Sequence, residues 1–318
     1  MCNRSIASET LDQAWASAAR VDHTLAAAAE REAAARHGLA AAEAHRLPSV
    51  SLNAGYTRLQ SEPAAAISIP ALHLNGLPFA QDASYAASVS VSAPLFTAGR
   101  ISHGIAAAGA VSDAARAGSE LSRRELKLAV AEAYVMVLRS QHLNLVAVSH
   151  QRAIERHAGD VQQLFQQGYA ARHDVLASQV ALADARQQAL QAANGVALAS
   201  AAYNRLLGRS QDLAADVAEL NDAAELAPPG PALPQLIAAG RSQRSELGQL
   251  SAQETALRRQ SDSVAAQRAP QVGINGGWGK LQDRYLVSDK GWWIGVALKW
   301  DLYDGEEKCY GIAKAGQN

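Results

Sequence analysis

At 318 residues and 33.4 kDa the chain is long enough for a large core or two domains, and 48% hydrophobic residues exclude a wholly disordered protein. Charged residues make up 19%, 29 basic against 30 acidic, so the net charge of −1 creates no general basic field for nucleic acid or anionic lipid. Aromatics are only 5% and alanine supplies much of the apolar count, which points to long, closely packed helices, while Cys2 and Cys309 at opposite ends suggest neither a disulfide framework nor a thiolate metal site.

The start, Met1-Cys2-Asn3-Arg4, lacks the apolar stretch of a secretory signal, so the chain is either cytosolic or numbered without its export segment. Cys2 would suit a lipid-bearing first residue, but no apolar lipobox precedes it. No run of about 18 uncharged apolar residues occurs, which argues against a transmembrane helix and leaves strands as the route to any membrane role.

From Thr10, a natural N-cap, the chain runs to Arg46 without a proline and is predicted as one helix, 10–46. After Pro48, the residues Val50, Leu52, Ala54 and Tyr56 alternate with polar or small neighbours, the period of a strand over 48–60. Pro63, Pro70, Gly76 and Pro78 then punctuate an interval read as loop. A second strand is predicted over 84–96, with Tyr85, Ala87, Val89, Val91, Ala93 and Leu95 on one face and serines on most of the other.

Beyond Gly99-Arg100 a helical hairpin is predicted over 100–207. Its first arm, Ile101 to Gln167, has no proline and would reach about 100 Å at 1.5 Å per residue, a length that suits a rod or tunnel. Leu121, Leu128, Val130, Val135, Val137, Leu145 and Val148 spread over more than one stripe, as on a helix with neighbours on two sides. Gly168 breaks the run, and a second arm starts from about Asp174, taken as a cap, and continues to Leu207-Gly208. The acidic, proline-rich stretch 208–232 reads as a linker.

Beyond that linker the sequence repeats its own beginning. An offset of 222 superposes Leu11, Leu25, Glu32, Arg46 and Pro48 on Leu233, Leu247, Glu254, Arg268 and Pro270. It also sets Val50, Leu52, Asn53, Gly55 and Tyr56 on Val272, Ile274, Asn275, Gly277 and Trp278, and an offset of 207 sets Tyr85, Val89 and Val91 on Trp292, Val296 and Leu298. The chain therefore divides into a first repeat, 1–232, and an incomplete second, 233–318, with a helix over 233–268, strands over 270–282 and 291–303 and the start of a further helix.

In the last strand Trp292, Ile294, Val296, Leu298 and Trp300 form an apolar face rimmed by tryptophan, opposite Trp293, Gly295, Ala297, Lys299 and Asp301. Such a dyad suits a membrane barrel wall, and it suits equally the core face of a water-soluble sandwich. Strand number bears on the choice: four strands cannot close on themselves, and single-chain membrane barrels begin at about eight. A spanning sheet would therefore need several copies of the chain.

Other chemistry finds little footing. His142, His150 and His157 share roughly one helical face but step by about 10 to 12 Å, too far for one ion, and read as a solvated stripe. The glycine cluster from Gly273 to Lys280 fails the phosphate-loop pattern, since Ile274 and Leu281 fall where a glycine and a hydroxyl are needed. No Gly-x-Ser-x-Gly, His-Glu-x-x-His or double Cys-x-x-Cys motif occurs, so neither catalysis nor a cofactor nor a metal is expected. Arg123, Arg124, Glu125 and Lys127 read as a solvated helix face, and Lys280, Lys299 and Asp301 as candidates for a lumen.

Several stretches, taken together, carry a resemblance: Leu47-Pro48-Ser49-Val50, Ala93-Pro94-Leu95-Phe96-Thr97-Ala98-Gly99-Arg100, Phe165-Gln166-Gln167-Gly168-Tyr169, Asp174-Val175-Leu176-Ala177-Ser178-Gln179 and Asn204-Arg205-Leu206-Leu207-Gly208. In this order and spacing the chain resembles the TolC-like outer-membrane efflux factors. The resemblance implies a mainly α fold with a four-stranded β contribution, in which long coiled-coil helices and the strands of three chains build a shared 12-stranded outer-membrane β-barrel and a periplasmic α-barrel. It implies a homotrimer in the outer membrane of a Gram-negative bacterium, no catalysis, and a passive duct for drug efflux or type I secretion. A periplasmic adaptor would link it to an inner-membrane transporter of the RND or ABC type. Adaptor contact would fall on the hairpin turn at Phe165, Gln167, Gly168 and Tyr169, and outer-membrane lipid on Tyr85, Val89, Val91, Trp292, Ile294, Val296, Leu298 and Trp300. The family pattern calls for another long hairpin after Tyr303-Asp304-Gly305, whereas the sequence stops at Asn318, which leaves a truncated and inactive product, or a soluble periplasmic scaffold or adaptor, as alternatives.

Overall fold

The computed structural model describes residues 8–69, 74–220, 230–283, 286 and 288–302. Among these, the elements in chain order are α1 (Leu11–Val21), α2 (His23–Ala44), β1 (Ser49–Arg58), β2 (Ala64–Ile69), β3 (Leu74–Pro78), β4 (Ala83–Phe96), α3 (Arg100–Gln166), α4 (Arg172–Leu206), α5 (Leu233–Gln243), α6 (Ser245–Ala266), β5 (Gln271–Gln282) and β6 (Lys290–Lys299). The fold is mainly helical with a four-stranded sheet, and α3 alone runs for 67 residues. No helix among the described residues is long and apolar enough to cross a membrane.

The structure corrects three expectations about elements. The helix predicted over 10–46 is two helices, parted at Asp22, whose backbone is extended (φ −73°, ψ 115°). The Asp22 carboxylate accepts the Leu25 amide at 2.6 Å and the Thr24 hydroxyl, so it starts α2 as an N-cap does. The helix predicted over 233–268 is likewise two, parted at Arg244 with nearly the same backbone angles (φ −71°, ψ 118°). Asp22 and Arg244 lie one repeat offset apart. The interval between Gln60 and Tyr85, read as loop, contains the antiparallel ribbon β2–β3. Pro63 stands just before it and Pro78 at its end, where a missing amide hydrogen costs the ladder little.

The main sheet has the order β1-β4-β5-β6, antiparallel throughout. The two sequence offsets also carry the pairing register: Ser49 opposes Ser92, and the positions 222 and 207 further on, Gln271 and Lys299, oppose each other. The last strand, predicted to reach 303, ends at Lys299 as β6; Tyr303 lies outside the described residues, as does Cys309.

The chain divides into two compact units, each drawing on both sequence repeats: the chain up to Arg31 with Arg116–Leu247, and Glu32–Ala115 with the chain from Gly248 onward. In the first unit the core joins Ala14 and Ala18 of α1, Leu126, Val130, Tyr134 and Val137 of α3, and Ala199 and Tyr203 of α4. Its buried alanines let helices approach closely while the tyrosines fill the larger gaps. In the second unit α6 closes on the start of α3, with the Ser263 hydroxyl donating to the Arg100 carbonyl at 3.0 Å.

Candidate functional site

Strict pairing sorts the four strands into two unlike faces. One carries Ser49, Ser51 and Asn53 of β1, Ser88, Ser90 and Ser92 of β4, Asn275, Gly277 and Gly279 of β5, and Gly291, Trp293, Gly295 and Lys299 of β6. Hydroxyls meet across it, Ser49 with Ser92 at 2.8 Å and Ser51 with Ser90 at 2.7 Å. The other face carries Val50 and Leu52, Val89 and Val91, Ile274 and Trp278, and Trp292, Ile294, Val296 and Leu298.

This apolar face is open. Trp292 is 78% exposed, and Ile294 and Val296 are each 68% exposed, values no core face would show. Tyr85, Val89, Val91, Leu298 and Trp300 are exposed beside them. Trp292 and Trp300 bracket the face along the last strand, with the Trp300 indole donating to the Arg268 carbonyl at 3.0 Å. At the far end the Tyr56 and Tyr85 rings lie 4.8 Å apart.

The register corrects one assignment. Lys280, a candidate for a lumen, lies on the apolar face, opposite Lys290 and one pair beyond Trp278 and Trp292; Lys299 does lie on the polar face, with its ammonium 3.7 Å from Asp301. It also reveals a residue that the sequence did not single out. Trp293 is the large aromatic on the serine and glycine face, directly opposite Gly277, where a Cβ would run into the indole ring and the Val89 carbonyl. The bare glycine makes room for the ring, an aromatic covering a gap in the neighbouring strand. The one-letter signal was present as a third tryptophan out of phase with the apolar period.

The second predicted site is the turn between α3 and α4. Gly168 takes the left-handed conformation (φ +82°), its amide donates to the Phe165 carbonyl at 3.0 Å, and the Tyr169 amide donates to the Leu164 carbonyl at 2.9 Å. These paired bonds form a Schellman ending, which satisfies carbonyls the helix leaves over. Phe165, Gln167 and Tyr169 are all exposed, Tyr169 at 81%. Asp174 is not itself the cap predicted for the second arm: α4 starts at Arg172, and Asp174, in the first turn, reaches back to accept the Ala171 amide at 3.0 Å.

A partly buried polar clasp lies in the first unit, with no motif in the sequence to mark it. Arg209 grips the Glu9 carboxylate with two nitrogens, at 2.8 and 2.6 Å, and the Tyr203 hydroxyl donates to it at 2.9 Å. The Tyr134 hydroxyl lies 3.0 Å from the Glu9 carbonyl and 2.6 Å from the Ala218 carbonyl, while Glu9 and Val217 form a β-bridge. Burial opposes ionisation of Glu9, but the bonds from Arg209 and Tyr203 outweigh it and hold the carboxyl below its usual range. Burial, together with the Glu9 charge, pushes the Tyr203 phenol up. The residues read as a solvated helix face are partly engaged as well. Lys127 accepts the Trp15 indole at its carbonyl and sets its ammonium over that ring, and Arg124 donates to the Gln243 carbonyl. His142 of the histidine stripe meets Glu219 at 2.7 Å.

The family model of the outer membrane efflux proteins matches residues 15–209, more than half of the sequence. The chain belongs to the outer membrane efflux protein family. Its fold is TolC-like. VceC from Vibrio cholerae superposes with a TM-score of 0.78 at 17% identity, over 96% of this chain and 72% of that one. CusC gives 0.79 at 14%, over 96% and 68%, and the open-state MtrE channel of Neisseria gonorrhoeae 0.74 at 16%, over 96% and 66%. No curated protein matches the chain. Membership in the outer membrane efflux protein family attaches the chain to outer-membrane efflux, and the solved structures show the fold.

Proposed function

We propose that the chain is one subunit of a passive trimeric outer-membrane channel for drug efflux or type I secretion. One observation carries the reading: an exposed apolar face backs onto a polar one in a four-stranded sheet whose edges, β1 and β6, have no further strand beside them among the described residues. In hydrocarbon every backbone amide and carbonyl must find a partner, so open edges are untenable there and a barrel must close. Four strands are too few; β6 of one copy meeting β1 of the next closes a ring, and three copies supply twelve strands.

The dimensions are compatible. Trp292 to Trp300 is eight residue steps, about 26 Å along the strand and about 20 Å across the membrane at the roughly 35–45° tilt of barrel strands, which sets the two indoles near the borders of an apolar band of about 25 Å. Tyr85, Val89, Val91, Trp292, Ile294, Val296, Leu298 and Trp300 face lipid in this arrangement, and the serine and asparagine face lines the water-filled bore. Exposed Leu143, Leu145 and Val146 of α3 and Leu190 and Leu198 of α4 leave the hairpin with apolar surface for neighbouring copies, so that the helices continue the duct into the periplasm.

Transport through such a duct has no chemical step. Energy comes from an inner-membrane transporter of the RND or ABC type, and a periplasmic adaptor couples it by docking on Phe165, Gln167, Gly168 and Tyr169, where an exposed aromatic pair flanks a rigid turn. Planar-bilayer recording of the purified protein tests the reading. Discrete, uniform conductance steps are expected, and a protein that inserts without conducting would contradict it.

A further inference from the structure

The apolar face does not end at its tryptophans. One pair beyond Trp278 and Trp292, Lys280 stands directly opposite Lys290 on that same face, and both are exposed. Like charges opposed across a sheet repel, and among the described residues the carboxylate that answers them is that of Asp289, 3.5 Å from the Lys280 ammonium. Along the same row towards β1 the side chains shrink to Ala87 and Ala54, and in the next row they rise again as the mutually tilted rings of Tyr56 and Tyr85. These residues, with Lys280 and Gln282, line a shallow cavity of about 480 Å³.

We propose that this cavity, with Lys280 and Lys290 beside it, holds the phosphate-bearing headgroup of an anionic lipid. The inference rests on the lipid-facing reading of the sheet. Tyrosine and tryptophan collars mark the level of headgroups, and an ammonium at the edge of an apolar band extends to that level. Two facing cations with one carboxylate leave a charge that a phosphate satisfies. The alanine floor gives the headgroup room, and an acyl chain leaving it passes over Leu52, Val89 and Trp278 in the adjoining row. Free phosphate has no use for that apolar continuation, which is why a lipid is the occupant.

Quenching of tryptophan fluorescence by brominated lipids tests the site in the 318-residue chain reconstituted in bilayers, since Trp278 and Trp292 sit one pair from the lysines. Wild type is expected to favour brominated phosphatidylglycerol over brominated phosphatidylcholine by about five- to tenfold, and K280Q/K290Q to bind them nearly equally. K280R/K290R should keep the preference, as should K299Q on the polar face, and millimolar inorganic phosphate should not erode it. The same preference in wild type and K280Q/K290Q would overturn the site, and loss of preference with inorganic phosphate would overturn the lipid as its occupant. Absence of quenching by either lipid would instead overturn the lipid-facing reading, and the site with it.

Discussion

Glu9 ties together segments that are far apart in sequence: its side chain holds Arg209 and Tyr203, and its backbone bridges to Val217. Because its carboxyl is held below the usual range in the folded chain, the stabilisation is fully present above that range and is lost as pH falls through the lowered value. The thermal midpoint followed by circular dichroism should therefore drop as pH is lowered from neutral into the acid range, and E9Q should flatten that dependence. E9A should cost about 1–2 kcal/mol at neutral pH, since it leaves the buried Tyr203 hydroxyl without its acceptor while the exposed Arg209 guanidinium returns to water. At Gly168 the argument is purely conformational, because nothing lies within 4 Å of where a Cβ would stand, yet φ is +82°. A β-branched residue there pays about 1–2 kcal/mol of backbone strain in a turn and should impair drug export in a complementation assay more than it impairs trimer formation. G168N, which tolerates the left-handed region, should export close to normally. Gly277 differs in kind: G277V pushes against the Trp293 ring and a backbone carbonyl, so folding yield itself should fall.

At the level of elements, the parts governed by a strong period were legible in the sequence and the parts governed by a single side chain were not. Alternation in β1, β4, β5 and β6 assigned most residues to their faces before any pairing was known, because a period of two survives whatever the neighbour is. Neighbours themselves are not encoded in alternation, so the order β1-β4-β5-β6 and the opposition of Lys280 to Lys290 came only from the register. The breaks at Asp22 and Arg244 were masked by alanine-rich flanks that favour helix throughout, although Asp22 with Thr24 and Leu25 after it is a capping pattern in hindsight. If Asp22 is the cap of α2, D22A should lower stability by about 1 kcal/mol, read as a shift of the thermal midpoint, while D22N or D22S should recover most of it. The turn at Gly168 was readable because glycine was the feature marking it. The Glu9 clasp was not, since its partners lie some 200 positions away with no spacing to betray them.

For the whole molecule, the offsets that repeat the sequence also repeat the strand register, so the sheet is two copies of one antiparallel pair joined between β4 and β5. A duplicated pair is still an open ribbon, and the family's place in the outer membrane gives that ribbon an environment in which openness is costly. Under the proposed function, assembly is the step at which a bore would form, with Ser49, Ser51, Ser90, Ser92 and their neighbours on its polar side. Native mass spectrometry of the 318-residue chain released from detergent micelles tests this most directly. The expected particle weighs three times the 33.4 kDa chain, and a single-chain particle, stable in the absence of detergent, would contradict it.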